Sequence, residues 1–140
     1  MAGPREKARI VHRHAWLWEP LESQPGFLLR SMFGAKAAYL DGRLVLCFCT
    51  GEEPWRGLLV PTDRAHHDSL RAEFPALVIH PILTKWLYLP ETADAFERTG
   101  QTLVTLARRR DARLGVLPQP KKSRLKRTAS GRKTGKSRPR

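Results

Sequence analysis

Apolar positions along the chain fall into short runs broken by Pro and Gly, with one helical period near the end. Residues 1–9 are polar and read as a frayed start. Residues 15–21 (AWLWEPL) read as a short helical or irregular segment, with Trp16 and Trp18 as candidate anchors onto a core, and Pro25-Gly26 breaks the chain after it. FLLRSMF, AKAAYL and RLVLCFC follow as strand-like runs, separated by Gly34 and by Asp41-Gly42. Asp-Gly between two such runs predicts a hairpin. A type I′ turn needs positive φ at both central positions, which Asp tolerates and Gly adopts freely. Positions 44–49 are apolar without interruption, which predicts a central strand covered on both faces.

GEEPWRG reads as a loop, and 56–60 as a further strand. Pro61, Thr62 and Asp63 open a helix predicted to run through about Phe74, with Thr62 or Asp63 as N-cap. Two more strands are predicted at 77–80 and 86–89, linked near Pro81. The last element starts around Glu91 or Thr92. Phe96, Gly100, Leu103, Val104 and Ala107 share one helical face. Glu91, Asp94 and Glu97 come early in it and Arg108, Arg109 and Arg110 late, which complements the helix dipole. Pro118 and Pro120 close the domain. The order is short helix, meander, helix, two strands, long helix. That is an α+β class, a mostly antiparallel sheet of hairpins packed against helices. The strands are too closely spaced for successive βαβ units.

Composition changes this picture mainly at the end of the chain. With 140 residues and 41% apolar content, one packed domain is expected. The net charge is +13, and positions 119–140 carry ten basic residues and no acidic one, leaving +3 for everything before them. Lys and Arg spread among Ser, Thr and Gly cannot build a core, so a disordered basic tail is expected. The organisation predicted is a flexible start at 1–14, a domain at 15–117 and the tail at 118–140. No apolar run reaches the ~20 residues of a membrane span, and no secretory signal is legible. Cys47 and Cys49, two apart on one strand, are poor candidates for a structural disulfide, so a reduced, cytoplasmic protein is expected.

The segment Arg30-Ser-Met-Phe-Gly34, followed by Tyr39-Leu-Asp-Gly42 and a hydrophobic strand, resembles the TfoX N-terminal domain-like family. The helix after Trp86-Leu-Tyr-Leu-Pro-Glu91 is also similar, and the resemblance spans residues 16–113. It implies a small α+β fold of hairpins packed with helices. Some members are regulators of bacterial competence, and the related fold group of YjbR-like proteins is linked to DNA binding. Ala35 stands where the family usually has a second glycine, and the basic tail stands where the competence regulators carry a second domain.

Candidate chemistry is sparse. Met32, Phe33 and Gly34 read as a core anchor before a turn glycine, or else as a partner contact. Cys47 and Cys49 offer two soft ligands on one strand face, but no histidine stands at finger-like spacing from them, so burial is expected and no metal. Asp63 and His67 stand at i, i+4 and could orient an imidazole, yet no nucleophile accompanies them, and a solvated helix face is expected for His66 and His67. Trp55 and Arg56 are candidate partner contacts, an aromatic beside a cation in a loop. Trp86 and Tyr88 share a strand face and are expected to point to the core. Gly131 to Ser137 has three residues between its glycines where a phosphate-binding loop has four, and is rejected. No enzyme, cofactor or metal is expected. The expected partner is nucleic acid, held with low specificity by Arg108, Arg109, Arg110, Arg113, Lys121, Lys122, Arg124, Lys126, Arg127, Arg132, Lys133, Lys136, Arg138 and Arg140. The alternative is a protein-interaction domain, homodimeric through a sheet edge, with an incidental tail. No membrane partner is expected.

Overall fold

A computed structural model describes residues 12–32 and 34–118. The expectations for residues 1–11, for Phe33 and for the tail from 119 onward lie outside the described residues. A one-turn helix α1 (Ala15–Trp18) runs into a 3₁₀ turn (Glu19–Leu21). Strands β1 (Phe27–Met32), β2 (Ala35–Leu40), β3 (Arg43–Thr50) and β4 (Arg56–Val60) form a meander. A 3₁₀ turn (Arg64–His66) leads into α2 (His67–Glu73), and then come β5 (Val78–Ile79), β6 (Leu87–Pro90) and α3 (Phe96–Arg108). The strands lie in the order β1-β2-β3-β4-β6-β5, and every neighbouring pair is antiparallel. This is the α+β architecture that the apolar pattern predicts.

The hairpin turn forms at Asp41 and Gly42, with φ of 54° and 83°, the double positive that a type I′ turn requires. Strand β3 is buried along 44–49, and both faces are covered. Leu46 and Phe48 belong to the larger core under α1 and α3, whereas Leu44, Cys47 and Cys49 join Ala37, Leu59 and Tyr88 on the opposite face. A bulge against Ala38 and Tyr39 makes room for Val45, so Val45 and Leu46 both belong to the larger core. Beyond the end of β4, Val116 exchanges two backbone hydrogen bonds with Leu44 and fills the open side of β3.

Several boundaries differ from the sequence reading, each for a physical reason. The last helix begins at Phe96 rather than at 91 or 92, because the Glu91 backbone N–H donates to Arg56 O and extends the sheet instead. All five inward residues named for it (Phe96, Gly100, Leu103, Val104, Ala107) are buried. Asp63 is the N-cap, its Oδ1 accepting from Ala65 N, while the Thr62 hydroxyl donates to Arg113 O. The helix it opens is split into a 3₁₀ turn and α2. Trp18 anchors the first segment at 6% exposure, but Trp16, two residues away on a helical turn, is 38% exposed. Met32 is 37% exposed and is no core anchor. Residues 12–14, set outside the domain by the sequence reading, pack onto it: His12 lies against Trp18 and His14 against Phe96.

Candidate functional site

The arginines expected to meet nucleic acid divide into two pairs. Arg108 and Arg109, at the end of α3, are exposed and line a shallow groove of about 220 Å³ with Gln24 and Thr105. Arg110 and Arg113 are committed internally. Arg110 adopts φ 56°, the left-handed position that ends the helix and usually belongs to glycine. Its guanidinium donates to Asp41 Oδ2 (3.1 Å), Gln24 Oε1 (2.7 Å), Pro25 O (3.0 Å) and Arg108 O (2.9 Å). Arg113 donates to both oxygens of Asp111, to Glu73 Oε1 and to Ser69 Oγ. Hydrogen bonds from Arg113 hold the Asp111 carboxyl below its usual range, and the pairing raises the Arg113 guanidinium in turn. Between positions 12 and 118 there are thirteen basic and twelve acidic residues, so this part of the chain is nearly neutral.

Trp55 and Arg56, adjacent in sequence, serve separate clusters. Trp55 is half-buried and lies 4.4 Å from the His80 ring. His80 has no exposed surface: Nδ1 accepts from Ile82 N and Leu83 N, and Nε2 donates to Pro54 O at 2.9 Å. Two donors on Nδ1 specify the neutral Nε2–H tautomer. Tyr88 closes this network: its hydroxyl accepts from Arg56 N, and its single proton has Glu53 Oε1 (2.7 Å) and Arg56 O (2.8 Å) as alternative acceptors. Burial and the Glu53 carboxylate push its phenol well above the usual range. Tyr88 is buried in the core of this sheet face, as expected, and the half-buried Trp86 packs against it.

Arg56 instead reaches Glu91, which also receives a two-pronged contact from Arg13. His14 Nε2 is 3.2 Å from Glu91 Oε1, near enough for charge attraction when the ring is protonated, yet the Nε2 atoms of His12 and His14 are shielded from water and make no directed hydrogen bond with the described residues. Burial raises the Glu91 carboxyl, but the hydrogen bonds from Arg13 and Arg56 outweigh it and leave a net lowering. Sequence reasoning missed this cluster and the His80 network. His-x-His and the paired glutamates of the 51–57 loop were visible, but their partners lie 26 to 78 positions away.

The remaining candidates for chemistry are not assembled. Cys47 and Cys49 are free and buried, and desolvation pushes their thiols up to about 12 and about 11. His67 is buried, not solvated as expected, and its Nε2 bonds Lys85 O, while the Asp63 carboxylate caps the helix; the two do not pair. Among the described residues no group of three or more His, Cys, Asp or Glu side chains is arranged to hold a metal ion. No helix among them is long and apolar enough to cross a membrane.

These clusters give the folded state a pH dependence. Burial lowers the proton affinity of three histidines below the ordinary 6.5. His12 is further opposed by His14, Lys36 and Arg13. At His14 Glu91 counters part of the effect while Arg13 adds to it, and at His80 the Pro54 carbonyl counters part of it. The unfolded chain therefore binds more protons below pH 6.5. The stabilisation is fully present above that value and is lost as pH falls through the lowered values. Thermal midpoints measured from neutral pH to about pH 5 should fall steadily, and a flat profile would contradict the burial of these rings.

Fold and sites together define a small six-stranded antiparallel α+β domain with a charge-balanced surface and two internal polar clusters. No protein-family model matches the chain, and neither does a curated protein or a solved structure.

Proposed function

We propose that the chain is a non-enzymatic cytoplasmic binding protein whose basic tail holds nucleic acid with low sequence specificity. The observation that carries this is the placement of charge. Residues 12–118 are nearly neutral and consume Arg110 and Arg113 in internal pairs, whereas 119–140 hold ten cations and no anion. Each lysine or arginine brought to a phosphate releases a condensed counterion, which gives affinity that weakens steeply with salt. The exposed Arg108 and Arg109 are the domain's own contribution. The resemblance of residues 16–113 to the TfoX N-terminal domain-like family supports the same direction through its DNA-linked fold group.

The test is an anisotropy titration of labelled DNA and RNA oligonucleotides at several salt concentrations. Replacing the ten tail cations by Gln in the full-length chain should cost about 100-fold or more in low-salt affinity and flatten the salt dependence. Arg108→Gln with Arg109→Gln should reduce the log–log salt slope by up to about 2, while Arg110→Gln should leave it unchanged. Equal, weak binding by the native and neutral-tail chains sinks the reading.

One observation favours a second reading, pairing of two copies through β1. Among the described residues this six-residue strand hydrogen-bonds a neighbour on one side only, and its Leu28 is 46% exposed. Light scattering across a concentration series decides it: a mass that stays monomeric throughout excludes the pairing, and Leu28→Lys should abolish any dimer that appears.

A further inference from the structure

Between the β2–β3 turn and the end of α3 lies a cleft of about 230 Å³. Leu40, Val45, Ala107 and Leu114 form its apolar floor, each no more than 7% exposed. Asp41, Arg43, Arg110 and Asp111 line it with charge. Three of these four are already neutralised: Arg110 pairs with Asp41, and Asp111 pairs with Arg113. Arg43 is different. It is partly buried, and among the described residues its one side-chain hydrogen bond is to a neutral acceptor, Gly115 O at 2.7 Å. Among the described residues no carboxylate lies within ion-pair distance of it. A guanidinium has five donors in a planar fork suited to a carboxylate, so most of its capacity is unspent.

A second observation falls at the same place. Arg110, which helps line the cleft, is held in a left-handed backbone conformation that a glycine would adopt without strain. Its four hydrogen bonds join the helix end, the Asp41 turn and the 24–25 loop into one rigid wall.

We propose that this cleft binds a small organic carboxylate with a compact apolar body, its carboxylate on Arg43 and its body on the Leu40–Val45–Ala107–Leu114 floor. The size is consistent: a cavity of about 150 Å³ accommodates benzene, and drug-sized ligands need about 300 Å³ or more. A single ring or branched chain with one carboxylate therefore fills the space. The charge preference follows from Arg43 alone, since Asp41 is paired with Arg110 and Asp111 with Arg113, which stands outside the lining. The site does not involve the tail and stands apart from the nucleic-acid reading.

The experiment uses the full-length protein, with benzoate as probe and benzyl alcohol and benzylamine as neutral and cationic counterparts of similar shape. Binding is followed by calorimetry and by methyl shifts at Leu40, Ala107 and Leu114. Benzoate should bind at least tenfold more tightly than benzyl alcohol, and benzylamine more weakly than either. Arg43→Gln should remove that tenfold preference. Ala112 lines the cleft yet is exposed, so Ala112→Trp should block entry without disturbing the core. It decides the matter should the Arg43 variant fail to fold. Benzoate binding that equals benzylamine binding, or that survives Ala112→Trp, overturns the proposal, as does the absence of methyl shifts with all three probes.

Discussion

Gly57→Ala should abolish the native fold or cost more than about 3 kcal/mol, a range reserved for a severe local clash. Gly57 lies in β4 opposite Pro90, with φ of 141°. A Cβ there would collide with the carbonyl oxygen of Leu89 and lie 2.8 Å from the backbone nitrogen of Glu91. Both atoms belong to β6 and its continuation, so relief requires moving backbone that carries the sheet ladder. The same shift would pull Glu91 away from Arg13 and Arg56. Gly42→Ala is the control. Gly42 also has positive φ, 83°, but nothing lies within 4 Å of the added carbon, so only conformational strain of about 1 kcal/mol applies. Urea denaturation of both variants separates the cases. Comparable, modest losses would mean that β4 and β6 are not packed as described.

His80→Leu should destabilise the domain by about 3–5 kcal/mol although the volume is nearly conserved, because buried polar groups without partners cost about 1–3 kcal/mol each. Leucine leaves Pro54 O, Ile82 N and Leu83 N without the ring that now serves all three. It also removes the aromatic contacts to Trp55 at 4.4 Å and Tyr88 at 5.5 Å. His80→Asn places an oxygen where Nδ1 accepts, so it should recover part of the loss. Chemical denaturation followed by tryptophan fluorescence reads both stability and the Trp55 environment. A cost below about 1 kcal/mol for leucine would sink the idea that this ring organises the loop, since a single hydrogen bond is worth that much.

Much of the fold was legible because its signals are local. The Asp41-Gly42 hairpin follows from the φ tolerance of two residues, the burial of 44–49 from an unbroken apolar run, and the inner face of α3 from a period of 3.6. Asp63 was readable as an N-cap since the cap and its amide are two positions apart. Where a boundary shifted, a distant partner moved it: Glu91 looked like a helix start until Arg56 O claimed its N–H.

The candidate site was less legible. Sequence alone determined where charge accumulates, because charge is a property of residue type. It placed ten cations in 119–140 and a near balance before them. Which arginines remain available was decided only by tertiary structure. Arg108, Arg109 and Arg110 are consecutive and chemically identical, yet Arg110 alone meets Asp41, 69 positions away. Arg113 meets Glu73 across 40 positions, and among the described residues Arg43 has no carboxylate within ion-pair distance at the cleft it lines. Periodicity reports which way a side chain faces within its own element. A partner depends on how separate elements come to lie against one another, and no local pattern encodes that distance.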